Sequence, residues 1–212
     1  MRKRTLFDTL ITEFDRALRV STGEAVQPSR ETPHVEAQAA SLNPAEKRLS
    51  ARLMRVNHAG EIAAQALYQG QAMTARDPAI RQHMEHAAQE ELDHLIWCKD
   101  RVETLGERVS ALTPAWYAGS FAIGAIAGLV GDKHSLGFVA ETERQVGEHL
   151  DRHLSRLPQA DHESRQILEQ MRQDEASHED SAISAGGQRP PKPVRSLMRQ
   201  VAKVMTGAAF RI

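Results

Sequence analysis

The sequence predicts an all-α protein: a four-helix bundle with an additional apolar helix and amphipathic helices at its ends. Three observations predict this. Aromatic residues are only 4% of the chain while Ala, Leu, Glu, Gln and Arg are plentiful, and such unbranched side chains lose little rotamer freedom in a helix. Apolar residues recur at spacings of three and four, the period of one helical face. Prolines fall between those runs, where helices start and stop. At 212 residues the chain suits one domain with a substantial core.

Residues 1–20 begin basic but carry Asp8, Glu13 and Asp15 and lack the apolar core and cleavage site of a secretory signal, so they read as mature protein. Leu6, Phe7, Leu10, Ile11, Phe14, Ala17 and Leu18 recur at helical spacing. They predict an amphipathic helix docked on the bundle or on a bilayer. Residues 21–44 are rich in Ser, Thr, Pro, Glu and Gln without periodicity, and read as a flexible linker. Residues 1–44 are thus an N-terminal appendage, 45–187 the bundle, and 188–212 a C-terminal segment.

Within the bundle, helical patterns run over about 45–76, 79–105, 114–130, 133–157 and 161–185. Asp77, Pro78, Gly106, Pro114, Gly131, Asp132 and Pro158 punctuate them. Residues 109–131 contain no Asp, Glu, Lys, Arg or His, which raises the question of a membrane span. Pro114 interrupts the start, and Gly and Ala stand where a span usually has Leu, Ile and Val. A buried or membrane-dipping helix is the expectation. After Gly187, the stretch QRPPKPV reads as non-helical. Beyond it, Val194, Leu197, Met198, Val201 and Met205 share a face while Arg195, Arg199 and Lys203 lie elsewhere, which suits packing on the bundle, an anionic membrane surface or a partner groove.

A formal charge of -1 gives no global field that would draw in nucleic acid. Cys98 is the only cysteine, which excludes an internal disulfide, a thiolate zinc cluster and a rubredoxin-type iron centre. Oxygen and nitrogen ligands remain.

Several acidic residues occupy the apolar stripes themselves. The second bundle helix reads Ile80, Met84, Ala87, Glu91, His94, Cys98, Val102, Leu105 along one face. The last reads Leu168, Met171, Glu175, His178, Ala182, Ala185, and the one before it Leu136, Val139, Glu143, Val146, Leu150, Leu154, Leu157. In the first, Met54, Asn57, Glu61, Ala64 and Tyr68 share a face. An unpaired buried carboxylate costs several kcal/mol, so four in one core would exceed the stability of roughly 5–15 kcal/mol typical of a domain. Two divalent cations balance four glutamates while neutral imidazoles add no charge. Residues three apart on a helix are neighbours, so each E-x-x-H pair can serve one metal. Two helical hairpins, each with one Glu and one E-x-x-H, make the ferritin-like di-iron or di-manganese pattern.

A lone E-x-x-H more often marks a surface ion pair; the duplicated set of Glu61, Glu91, His94, Glu143, Glu175 and His178 is what points to metal. Asp174 can hydrogen-bond a ligating imidazole and fix its tautomer, with Asp93 a second candidate; a solvated helix position is the alternative for both. His149 falls six residues beyond Glu143 and can approach the site, although a satisfied core or surface histidine explains it as well.

Four strings carry a resemblance: LMRVNHAGE (53–61), QEELDH (89–94), AETERQV (140–146) and QDEASH (173–178). Through them residues 45–212 resemble a bacterial member of the demethoxyubiquinone hydroxylase family of ubiquinone biosynthesis. The string RVNHAGE is the most specific, since ferritins and rubrerythrins share the ligand pattern without it. The resemblance implies that the same six residues ligate two iron ions, ferrous in the reduced state. It also implies a long-tailed polyprenyl quinone substrate, O2 as co-substrate, NADH as electron source, and ubiquinone-biosynthesis proteins as partners. Peripheral attachment to the cytoplasmic side of the bacterial cell membrane follows from it as well. Animal members have a His-Tyr pair where this chain has His149 and Leu150, a departure that puts any redox role of a tyrosine at that position in doubt.

The expected reaction is ring hydroxylation: one atom of O2 enters the quinone and the other leaves as water, with two external electrons. A soluble ferroxidase or peroxide-scavenging protein would use the same metals but has no need of the uncharged 109–131 segment or the basic tail. A membrane-bound adaptor or lipid-binding bundle with an incidental acidic core would hold no metal. No Gly-rich dinucleotide fingerprint identifies the electron donor.

Overall fold

The computed structural model describes residues 28–33 and 41–212, and it is helical throughout its ordered elements. The helices are α1 Pro44–Thr74, α2 Pro78–Thr104, α3 Thr113–Val130, α4 Asp132–Arg156, α5 His162–Ser184 and α6 Lys192–Ala209. Among the described residues there is no strand. The amphipathic helix expected near the N-terminus lies outside the described residues.

Local chemistry sets the boundaries. Asn43 accepts from the backbone of Ala45 and Glu46 while Glu46 returns a bond to the Asn43 N–H, a capping box in front of Pro44. Asp77 caps α2 ahead of Pro78, and Asp161 accepts from the Ser164 N–H at the start of α5. Only Gly131 separates α3 from α4, at φ 129° and ψ 153°, a conformation closed to residues with a Cβ. The C-terminal helix starts at Lys192, inside the stretch read from sequence as non-helical. Pro193 sits in its first turn, where no N–H is needed.

The bundle consists of α1, α2, α4 and α5: α1 packs on α2, α4 on α5, and cross-contacts join α1 to α4 and α2 to α5. Between the hairpins α3 lies along α1, the connection that a ferritin-like bundle requires. Their approach is close because both surfaces are glycine. A Cβ on Gly124 would meet the Leu67 carbonyl at 2.2 Å, and one on Gly70 would meet the Phe121 carbonyl at 2.3 Å. The opposite face of α3 is not buried, since Ile126, Leu129 and Val130 are each more than 60% exposed. This helix is long and apolar enough to cross a membrane by length and composition alone. Small α1-facing residues therefore explain the Gly and Ala content that argued against a span.

While other apolar clusters pack α1 and α2 against α3, and α1 against α6, two lie among the four bundle helices. One holds Leu53, Met54, Trp97, Cys98, Val102, Leu150, Leu168 and Met171. The other holds Tyr68, Ala72, Met84, Leu136, Val139, Ala140 and Ala182. On each of the four helices the carboxylates of the apolar stripe fall between the residues of one cluster and those of the other.

Candidate metal centre

The polar layer between the clusters holds Glu61 from α1, Glu91 and His94 from α2, Glu143 from α4, and Glu175 and His178 from α5. All but His178 are no more than 2% exposed. Ligand atoms of Glu61, Glu91, His94 and Glu175 lie within 4.8 Å of one another.

Glu91 and Glu175 stand between the two imidazoles. From His94 Nδ1 it is 3.2 Å to Glu175 Oε1 and 3.6 Å to Glu91 Oε2. From His178 Nδ1 it is 3.2 Å to Glu91 Oε1 and 3.3 Å to Glu175 Oε2. Each carboxylate thus offers one oxygen to each histidine. Spacing alone suggests that each E-x-x-H pair can serve one metal; in the fold the glutamates of both pairs lie between the two imidazoles, because α2 and α5 face each other across the layer. Glu61 Oε2 sits on the His94 side, 3.6 Å from Nδ1. Glu143 is bonded by Tyr68, whose ring lies edge-on to that of His178 with centroids 6.4 Å apart.

Such a cluster is electrostatically unfinished without cations. Burial raises Glu61 well above the usual carboxylate range, and Glu91 and Glu175 add to the effect against the pull of His94. Burial likewise raises Glu143, with Glu175 and Glu91 adding to it. Burial would raise Glu91 too, but His178 and His94 outweigh it and hold that carboxyl below its usual range. Burial opposes charge on His178, yet Glu175 and Glu91 hold its pKa up at about 12. His94 is raised in the same way by Asp174, Glu175, Glu61 and Glu91.

Several buried atoms in the layer have no hydrogen-bond partner among the described residues: Glu61 Oε2, both Glu91 oxygens, His94 Nδ1, Glu143 Oε2 and Glu175 Oε1. Buried polar groups are seldom left so. Their convergence, and the absence of any thiolate, fits hard divalent cations bound by oxygen and imidazole.

The surroundings orient the imidazoles. His94 turns Nδ1 inward and places Nε2 2.9 Å from Asp174 Oδ2, the arrangement anticipated for Asp174. Burial is overcome there by His94 and Arg30, which hold the Asp174 pKa at about 2. His178 Nε2 lies 3.1 Å from Glu90 Oε2. Among the described residues Asp93 meets no imidazole and accepts from Ser29 and Arg30. The His149 ring lies tilted against that of His153 with centroids 3.9 Å apart, and among the described residues its ring contact runs there.

Sequence reasoning gave no role to Tyr68, Glu90, Ser29 or Arg30. Tyr68 was on the right stripe, and Glu90 adjoins a candidate ligand, so both carried some signal. Ser29 and Arg30 carried none, being 64 and 63 residues from Asp93 in a stretch without periodicity.

Beside His178 a cavity of about 420 Å³ reaches the surface, lined among others by Tyr68, His83, Ala87 and Glu90. It gives a path from outside to this side of the layer.

Residues 48–209 match the family model for "Ubiquinone biosynthesis protein COQ7". A protein of Cupriavidus metallidurans is 56% identical over 207 residues, covering 97% of this chain and all of the relative. One of Ralstonia pickettii is 54% identical over 217 residues, covering 98% of this chain and all of the relative. One of Nitrosococcus oceani is 53% identical over 211 residues, covering the whole chain and 99% of the relative. All three are named 3-demethoxyubiquinol 3-hydroxylase.

Proposed function

The chain belongs to the COQ7 family of ubiquinone biosynthesis proteins, and we propose that its carboxylate–imidazole layer holds two iron ions that hydroxylate the ring of a polyprenylated demethoxyubiquinol. The enzyme is an oxidoreductase, a monooxygenase consuming O2 and two external electrons, for which NADH is the proposed source. The observation that carries the metal assignment is the convergence of partnerless buried atoms from Glu61, Glu91, His94, Glu143 and Glu175, with His178 completing the ligand set.

Bound iron supplies the activation of O2. The chain's own groups do the rest. Glu61, Glu91, Glu143 and Glu175 would supply the oxygen ligands, Glu91 and Glu175 each offering one oxygen toward His94 and one toward His178. Asp174 and Glu90 hold the outer nitrogens of His94 and His178, so that each ring presents Nδ1 inward. The flanking apolar clusters exclude bulk water, which strengthens every charge interaction between them.

Peripheral attachment to the cell membrane is supported by the exposed apolar residues of α3 and by Leu197, Val201 and Val204 on α6, itself carrying Arg195, Arg199 and Lys203, while the cytoplasmic side rests on the family resemblance alone. A polyprenyl tail can then remain in lipid while the ring enters the protein. The same surface offers a docking site for other proteins of the pathway. A soluble ferroxidase has no use for these faces.

Metal analysis and melting curves test the iron assignment together. Wild-type protein loaded anaerobically should retain two irons per chain, and Glu61→Gln should retain fewer. In metal-free protein at neutral pH the same substitution should leave the melting temperature unchanged or higher, because it removes a carboxylate that burial penalises. Wild-type protein without iron, or Glu61→Gln with full iron, would refute the assignment.

A further inference from the structure

We propose that Arg30 is a positioning residue for His94, clasping the outside of the metal centre from a segment remote in sequence and making the two iron positions unequal. This rests on the di-iron reading above.

The guanidinium bridges two carboxylates. Arg30 Nε donates to Asp93 Oδ2 at 2.9 Å, and Nη1 donates to Asp174 Oδ2 at 2.8 Å. The Ser29 N–H donates to Asp93 Oδ1 at 2.7 Å, and the Ser29 hydroxyl lies 3.0 Å from the same oxygen. Asp93 is only 1% exposed, so the clasp supplies partners to an otherwise costly buried charge. The guanidinium also lies 4.9 Å from the Trp97 ring centroid, and that ring is 5.3 Å from His94.

Asp174 Oδ2 receives His94 and Arg30 on one atom. Arg30 Nη2 approaches His94 Nε2 to 3.4 Å. A guanidinium nitrogen can only donate. With His94 Nε2 carrying its hydrogen toward Asp174, the two nitrogens are donors converging on one oxygen and cannot bond each other. The tautomer that follows leaves Nδ1 as the lone-pair nitrogen facing Glu61, Glu91 and Glu175.

Charge points the same way. Two divalent ions balance four glutamates, which leaves Asp93 and Asp174 as additional negative charges at the His94 end, and Arg30 is ion-paired with both. At the His178 end the corresponding carboxylate, Glu90, is 40% exposed and meets His86, itself 74% exposed. Asp174 and Glu90 both line the cavity, but of the two imidazoles only His178 stands in its wall. Arg30 is as exposed as Glu90, at 40%, but it forks Asp174 to the buried Asp93, whereas the partner of Glu90 is the mostly exposed His86.

The test is anaerobic titration of the full-length protein with ferrous iron in competition with a chelator, combined with Mössbauer spectra at saturating iron. Wild-type protein must first bind two irons; if it does not, the di-iron reading fails and this inference with it. Given two irons, Arg30→Gln should weaken one site about 10- to 100-fold and change one ferrous doublet, leaving the other as in wild type. Arg30→Lys keeps the charge but cannot fork to both carboxylates, so it should weaken the same site to a lesser degree. Asp174→Asn should reproduce the one-site defect, which protects the test if Arg30→Gln folds poorly. Unchanged affinities in Arg30→Gln, or equal weakening of both sites across these variants, would overturn the proposal.

Discussion

Tyr68 on α1 donates its hydroxyl to Glu143 Oε1 on α4 across 2.6 Å, with both residues no more than 2% exposed. The bond ties the edge of one apolar cluster to the polar layer and leaves only Oε2 of Glu143 without a partner. It also fixes which oxygen of that carboxylate is available to a cation.

Tyr68→Phe removes that donor and little else. A buried acceptor stranded in this way costs about 1–3 kcal/mol, so urea unfolding of metal-free protein should show a loss of that size. Iron should still bind, because Tyr68 is no ligand, but the iron spectrum should change as Glu143 gains freedom to rotate. Unchanged stability and spectrum would mean the bond has no such role.

Three histidines outside the centre give the protein an acid-sensitive core. Burial, with Lys99 adding, lowers His58 to about 3. Burial, with Arg152 and Arg156 adding, lowers His149 to about 4. Burial lowers His153 to about 2, with His149 and Arg156 adding, while its Nδ1–H donates to Asn57 Oδ1 at 2.8 Å. Folded values below the unfolded 6.5 mean that this stability is fully present above pH 6.5 and is lost as pH falls toward the folded values. Iron-loaded protein should therefore lose on the order of 1 kcal/mol per pH unit per histidine below 6.5. His153→Gln should flatten that slope; an unaltered slope would contradict the account.

The contact of α3 with α1 has no room for side chains at its glycines. Gly124→Val would push into the Leu67 carbonyl, and overpacking of this kind costs about 1–3 kcal/mol or more. Hydrogen exchange should show α3 loosened while α2 and α5 keep their protection. Equal deprotection of all the helices, or none, would show that α3 is not the separately docked element described.

Leu197 and Val204 are the most exposed apolar residues of α6. Wild-type protein should float with vesicles containing anionic lipid, and Leu197→Glu with Val204→Glu should weaken that binding at least tenfold while the iron content holds. Equal flotation of variant and wild type would remove α6 from the membrane surface.

The bundle and the centre differ in how far the sequence discloses them. Glu91, His94, Glu143, Glu175 and His178 were legible because each interrupts an apolar stripe, which a solvated charge does not do. The string RVNHAGE also resolves into local tasks. Arg55 bonds Glu107 and the Arg108 carbonyl, Asn57 accepts from His153, His58 is buried, and Glu61 faces the centre. The placement of Glu91 and Glu175 between the two imidazoles is not legible in the sequence, because it depends on how α2 faces α5 and not on spacing within either. Arg30 was hidden for a related reason. A basic residue in a Pro- and Ser-rich stretch looks solvated until the fold brings Asp93 and Asp174 to it.

The central claim, that these six residues hold two irons which place oxygen on a quinone ring, is tested most directly with labelled oxygen. Protein loaded anaerobically with ferrous iron and reduced would be given a demethoxyubiquinol and ¹⁸O2, and the ring product would be weighed by mass spectrometry. The account predicts a new ring hydroxyl carrying one ¹⁸O atom in wild type, and none formed by Glu91→Ala or Glu175→Ala. Product lacking the label, or no product from protein shown to hold two irons, would contradict it.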